Sequence, residues 1–159
     1  MPTTALARIK ANLAEKKRMT ARLIFQEVSG AVIGAFYRVY NALGFGFVES
    51  VYANALSLDL RTHGLVVERE VPTSVYYMGQ PIGEFKIDML VEKKLVVEIK
   101  ASKLIGDPER KQLFNYLRST DLQLGLLLHF GPKATYQRVI STKKLHQSVL
   151  VPPNPFNPR

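Results

Sequence analysis

Two short stretches near the middle of the chain hold carboxylates and a lysine at strand spacing. Gly83-Glu84-Phe85-Lys86-Ile87-Asp88-Met89-Leu90-Val91 and Leu95-Val96-Val97-Glu98-Ile99-Lys100-Ala101 both alternate with period two, so each reads as a strand with two distinct faces. Phe85, Ile87, Met89 and Val91 share one face of the first, and Asp88 points the other way. Leu95, Val97 and Ile99 share a face of the second, and Glu98 and Lys100 point away from it. Glu92-Lys93-Lys94 is short and polar, which makes a tight hairpin the natural connection. A hairpin symmetric about Lys93 sets Asp88 directly opposite Glu98. Carboxylates facing each other across strands repel, and a cation between them reverses that sign. A site of two or three carboxylates without Cys or His suits a hard divalent ion such as Mg²⁺.

Helices and further strands must position this hairpin. Residues 4–19 read as a basic helix with a partial apolar stripe of Leu6, Ile9 and Leu13 among Arg8, Lys10, Lys16, Lys17 and Arg18. Residues 21–43 form a longer helical stretch, where Gly30 and Gly34 suggest close packing against a neighbour. Gly44 and Gly46 end it and turn the chain. A helix from about Phe47 to Thr62 follows, with Gly64 as its terminal glycine. Ser50, Asn54, Ser57 and Arg61 make its solvent face. Glu49 falls with Tyr52, Leu56 and Leu60 and is expected on the inward face, where a carboxylate needs a partner or a metal.

Strands are expected at Leu65–Val71, Val75–Met78 and Ile82–Val91, the last two joined through Gly79-Gln80, and then at Leu95–Ala101. Asp107-Pro108 reads as an N-cap followed by proline. The helix it starts runs to about Arg118 and carries Gln112 and Tyr116 one turn apart. Leu122–Phe130 is a nearly continuous apolar run, hence a buried strand parallel to a neighbour. A short strand at Tyr136–Ser141 closes the order. The sum is an α/β (α+β) domain, a mixed central sheet flanked by helices. It is expected over 21–150, after a basic extension at 1–20 and before an extended proline-rich tail at 151–159.

Composition narrows the partners. The 159 residues, 47% hydrophobic, suit one domain with a full core. The chain has no cysteine, which excludes disulfides and thiolate metal sites, and the widely scattered His63, His129 and His146 exclude a zinc finger. No apolar run approaches the roughly 18 residues of a membrane span. No secretory apolar core is seen at the N-terminus, so a cytoplasmic location is expected. The formal charge of +9, from 22 basic and 13 acidic residues, attracts polyanions.

An Asp ending one strand followed by Glu-x-Lys on the next, here Asp88 and Glu98-Ile99-Lys100, resembles the core signature of the PD-(D/E)xK nuclease superfamily. Leu43-Gly44-Phe45-Gly46-Phe47-Val48-Glu49-Ser50-Val51-Tyr52 resembles the signature of the GxxExxY proteins within it, and the resemblance covers about residues 32–140. It implies a restriction-endonuclease-like fold and a Mg²⁺- or Mn²⁺-dependent nuclease acting on nucleic acid, DNA ahead of RNA. The resemblance makes Asp88 and Glu98 metal ligands, adds the Ile99 carbonyl, and has Glu49 complete the set directly or through water. Lys100 then orients the attacking water; its plain alternative is a salt bridge to Asp88 or Glu98.

Gln112 and Tyr116 resemble the Gln-x-x-x-Tyr of RecB-type nucleases and would hold the scissile phosphate or the lysine. Tyr52, Tyr40, Lys103, Arg110 and Lys111 complete the expected substrate contacts, the cations through the phosphate backbone. Two positions depart from the family pattern: Tyr40 stands where a histidine is common, and Phe45 where a proline is usual. Two other classes of reading stay open, an accessory nucleic-acid-binding module with little catalysis and a structural or assembly protein. A homo-oligomer or a partner protein is open as well.

Overall fold

The computed structural model describes residues 4–141; the proline-rich tail and the end of the expected domain lie outside them. The chain opens with α1 (Ala5–Leu43), a single helix of 39 residues where two helical segments were expected. Nothing between Ala5 and Ser29 breaks it, since that stretch lacks both glycine and proline. The Thr4 hydroxyl accepts from the Ala7 N–H at its start, and Gly44, at φ +67°, donates to the Tyr40 carbonyl at its end. Only the second half buries a stripe, through Val28, Val32, Ala35, Phe36 and Val39; Leu6, Ile9 and Leu13 stay exposed.

Gly30 and Gly34 do not mark close packing. Among the described residues a methyl group at Gly30 would meet nothing within 4 Å, and one at Gly34 only Arg38 Nη1 at 3.4 Å.

α2 (Glu49–Thr62) lies against α1 and is tied to it by a two-pronged Arg38–Asp59 contact of 3.1 and 2.5 Å. It closes with Gly64 at φ +83°, where the Leu65 N–H reaches the Leu60 carbonyl and the Gly64 N–H reaches that of Arg61, a Schellman end. Ser57, expected in solvent, is buried beside Ala53, Leu56 and Leu60, and its hydroxyl has no partner among the described residues.

Among the described residues five strands follow: β1 (Val67–Tyr77), β2 (Gln80–Val91), β3 (Leu95–Lys100), β4 (Leu124–Phe130) and β5 (Ala134–Ile140), with α3 (Asp107–Ser119) between β3 and β4. They lie side by side in chain order, and only β3 and β4 are parallel. α3 is therefore the crossover that a parallel pair requires. The two segments expected on either side of Pro72 merge into one edge strand, the position where proline is tolerated. The N-cap of α3 is Gly106, not Asp107: Asp107 and Pro108 occupy its first turn, and Glu109 reaches back to accept the Gly106 N–H at 3.0 Å.

Each face of the sheet has its own core. Met89, Val91, Leu95, Val97, Ile99, Leu126, Leu128 and Phe130 pack against α1 and α2. Val96, Leu127 and Val139 pack with Leu113 and Leu117 of α3. β2 does not keep one face throughout, as its alternation predicted. Met89 and Val91 face α1 and α2, whereas Ile87 and Phe85 join the α3 side. The switch falls at Asp88. Across the register from it, Glu70 makes no strand pair and takes φ +51°, so the β1–β2 ribbon twists there. Beyond that point it leaves the sheet and lies over α3.

Candidate active site

The β2–β3 hairpin turns through Glu92 and Lys93, both at positive φ, with the Lys94 N–H on the Val91 carbonyl. Val91 pairs with Leu95, Leu90 with Val96 and Met89 with Val97, the register of a hairpin symmetric about Lys93. The ladder stops one residue before Asp88 would face Glu98. In place of a further backbone pair, Asp88 Oδ2 accepts the Ile99 N–H at 2.8 Å. The carboxylate thus fills the fork where the two strands part, held by a charge-assisted bond to rigid backbone.

Glu98 stands on the α3 face of β3 and is only 2% exposed. Its Oε1 accepts from Lys100 Nζ at 2.9 Å, and its Oε2 is buried with no partner among the described residues. Burial pushes its pKa up to about 7, the charge of Asp88 adds to the rise, and Lys100 only partly opposes it. For Lys100 the balance runs the other way. Burial alone would lower its pKa, but the Glu98 hydrogen bond and the charges of Glu98, Glu49 and Asp88 raise it overall. Lys100 is therefore an ammonium ion at neutral pH, a donor and a positive charge.

The Gly-rich turn before α2 delivers Glu49. Gly44 and Gly46 take φ +67° and +123°, open to glycine and costly for other residues. Tyr52 locks them: its hydroxyl donates to the Gly44 carbonyl at 2.5 Å and accepts the Phe47 N–H at 3.2 Å. Its ring is fully buried and stacks on Phe130 at 4.2 Å. The geometry gives this tyrosine the work of holding the turn. Glu49 becomes the first residue of α2, and its Oε1 accepts the Ala101 N–H at 3.4 Å, just past Lys100. It is exposed, contrary to the inward face expected from its helical phase. Phase sorts residues along the packed part of a helix, and a first residue hangs beyond it.

Gln112 and Tyr116 close the site from α3. The Gln112 amide donates to the Tyr116 hydroxyl, and the Tyr116 ring stacks on Phe85 at 4.1 Å and 7°. Burial raises the Tyr116 pKa, and Glu98 and Asp88 raise it further against Gln112 and Lys100, so the phenol keeps its proton.

The remaining candidates lie apart from this cluster. The Tyr40 hydroxyl donates to the carbonyls of Gly131 and Pro132 at 2.8 and 3.0 Å, tying α1 to the β4–β5 turn. Arg110 and Lys111 line a shallow cleft between α3 and β5 with Phe114 and Val139. Lys103 is exposed on the β3–α3 connection.

His129 is a residue that sequence reasoning passed over. It pairs in register with Lys100 on β4, is 6% exposed, and contacts the Ser102 carbonyl through Nε2 at 2.7 Å. It thereby anchors the segment that follows Lys100. Its only signal in the sequence was a polar residue inside an apolar strand.

Among the described residues no three His, Asp or Glu side chains form a ready-made metal cage. The donors nonetheless fit a hard cation. The pair of Asp88 and Glu98 is all oxygen, and a buried carboxylate oxygen without a partner, on a group with a raised pKa, is the feature that a cation relieves.

No curated protein matches the chain significantly. Among solved structures, the one titled "Crystal structure of SSO0001" is similar at 20% identity with a TM-score of 0.49, over 58% of this chain and 50% of that one. The chain thus spans about half the length of that structure. The family model of the PD-(D/E)XK nuclease superfamily matches residues 26–139. That span takes in Glu49, Asp88, Glu98, Lys100, Gln112 and Tyr116, and the chain belongs to the PD-(D/E)XK nuclease superfamily.

Proposed function

We propose that this protein is a divalent-metal-dependent nuclease that hydrolyses phosphodiester bonds, in DNA ahead of RNA, at the fork between β2 and β3. The observation that carries this reading is Glu98, buried beside Asp88 and Lys100 with one oxygen unpartnered among the described residues. Asp88, Glu98 and the Ile99 carbonyl would hold Mg²⁺ or Mn²⁺, with Glu49 at the rim, and the ion would supply Lewis-acid polarisation of the phosphate and an acidified water. The narrower likeness to GxxExxY proteins is compatible with the role of Tyr52 in setting Glu49.

The protein's own groups do the rest. Asp88 is fixed by the Ile99 N–H, so it needs no reordering to bind. Lys100, cationic and held against Glu98, is placed to orient the attacking water and to stabilise negative charge developing on the phosphate. It is not a neutral base. Tyr116, a protonated phenol with its oxygen engaged by Gln112, offers its proton to a phosphate oxygen. Lys103, Arg110 and Lys111 track the strand outside the site, where phosphate contacts need charge rather than base readout.

The test is cleavage of linear, circular and branched DNA, and of RNA, in Mg²⁺, Mn²⁺ and EDTA. Wild type is compared with Asp88→Ala and Lys100→Ala. Metal-dependent product that disappears in both variants is expected. Binding that falls with salt but yields no product in any metal would replace this reading with an accessory binding module.

A further inference from the structure

Beyond Asp88 the β1–β2 ribbon leaves the sheet and roofs a cavity of about 720 Å³ over the C-terminal half of α3. That volume is in the roughly 300–1,000 Å³ range of small-ligand pockets. Tyr76, Phe85 and Tyr116 supply aromatic wall, while Asn115 supplies a neutral amide and Ser119 and Thr120 neutral hydroxyls that donate back to helix carbonyls and can still accept. Tyr116 belongs to both this cavity and the candidate active site: it lines the cavity, while its hydroxyl takes the Gln112 amide and its phenol feels the charges of Glu98, Lys100 and Asp88.

Two further features decide what would fit. The lining carries one cation, Arg118, and one anion, Asp121, so it is formally neutral on a chain of +9. Phosphate seeks an excess of positive charge, which the lining lacks. A flat neutral group with a hydrogen-bonding edge fits these walls. Second, the β1–β2 register slips between Val75 and Tyr76, with Val75 opposite Gly83 and Tyr76 opposite Pro81. The extra residue, Ile82, makes a bulge at the cavity lip, the device by which strands re-aim side chains beside active sites. Tyr76, half exposed, sits at that bulge.

We infer that this cavity receives one unstacked nucleobase of the strand whose phosphate lies at the Asp88–Glu98 fork, which makes the preferred substrate single-stranded or locally unpaired nucleic acid. The inference rests on the proposed nuclease function and adds its substrate class. Aromatic stacking of a base is tolerant of sequence, so the cavity selects strandedness and leaves sequence open.

The experiment measures affinity by fluorescence anisotropy, with the full chain in EDTA so that nothing is cut. The probes are a labelled single-stranded oligonucleotide, its fully paired duplex, and the same single strand made abasic at every position. Parallel cleavage in Mg²⁺ scores the parent function. The expected result is tighter binding of the intact single strand and a loss of about tenfold, one base–aromatic stack, for the abasic strand. Tyr76→Ala and Asn115→Ala should each weaken single-strand binding, and Tyr76→Ala should no longer distinguish the intact strand from the abasic one. Duplex affinity and duplex cleavage should not change in either variant. Tyr76 is a surface residue, so truncation leaves the core intact, and circular dichroism verifies it.

If cleavage is metal-dependent but both variants bind every probe like wild type, the cavity assignment is wrong and the nuclease reading stands. Displacement of the oligonucleotide by free nucleosides at comparable concentration would make this a nucleoside site and overturn the strand-borne assignment. Failure of every form to bind or cut nucleic acid would overturn both.

Discussion

Replacing Glu98 by Gln should make the metal-free protein more stable while removing the proposed cleavage. The side chain is 2% exposed and its pKa is raised from 4.5 to about 7, by burial first and by Asp88 second. An acid whose pKa is higher in the folded state holds its proton there while the unfolded chain has lost it. Stability from this group is therefore fully present below about pH 4.5, falls as pH rises from 4.5 to 7, and is flat above that. A shift of some 2.5 units at 1.36 kcal/mol each amounts to about 3 kcal/mol. Gln mimics the protonated acid at every pH and still accepts from Lys100. The ion pair with Lys100 is lost, but its attraction is already counted in the net rise. In EDTA, Glu98→Gln should melt about 6–12 °C above wild type at pH 8, at roughly 2–4 °C per kcal/mol. At pH 5 the gap should shrink to about 1 kcal/mol. Calorimetry at the two pH values checks this. Added Mg²⁺ should raise the melting temperature of wild type more than that of the variant, because only a ligand of the native state stabilises it. A variant that melts below wild type at pH 8 would refute the reasoning, since it would mean that the Lys100 pair outweighs the cost of burying Glu98.

Two other changes test the scaffold. Gly30→Ala places a methyl where nothing among the described residues lies within 4 Å, on an exposed helix face, so about 1 kcal/mol of added stability is expected from helix propensity; a thermal melt that fails to rise would show that this glycine has a packing role after all. Tyr52→Phe removes a buried hydroxyl that serves both the Gly44 carbonyl and the Phe47 N–H. It should cost about 1–3 kcal/mol in urea unfolding and lower the cleavage rate by loosening Glu49, and an unchanged urea midpoint would remove Tyr52 from that role.

The candidate-site chemistry of α3 was legible only in part. Spacing of four placed Gln112 and Tyr116 on one helical face, and they do bond to each other. Nothing in that spacing pointed to Phe85 as the ring that stacks on Tyr116. Uniform alternation assigned Phe85 to the opposite face from Asp88, and the twist at Glu70 and Asp88 changed the partner of everything beyond it. Arg110 and Lys111 are close to Gln112 in sequence, yet a helix turns neighbours about 100° apart, and theirs is the β5 side.

By itself the sequence determined the β2–β3 hairpin, its register about Lys93 and the chemistry available. Period-two alternation and a three-residue polar link leave little freedom in how β2 meets β3, and a chain without cysteine leaves oxygen donors for a metal. The parallel pairing of β4 was also readable, because a strand buried on both faces must be apolar throughout. Tertiary structure alone decided that the ladder ends at Met89, that Asp88 bonds to the Ile99 N–H instead of facing Glu98, and that Glu98 keeps one oxygen without a partner among the described residues. It also decided that Glu49 reaches Ala101 from a helix end. These outcomes depend on where strands part and on where a packed helix stops. Both are fixed by contacts between residues far apart in the chain, which local periodicity does not encode.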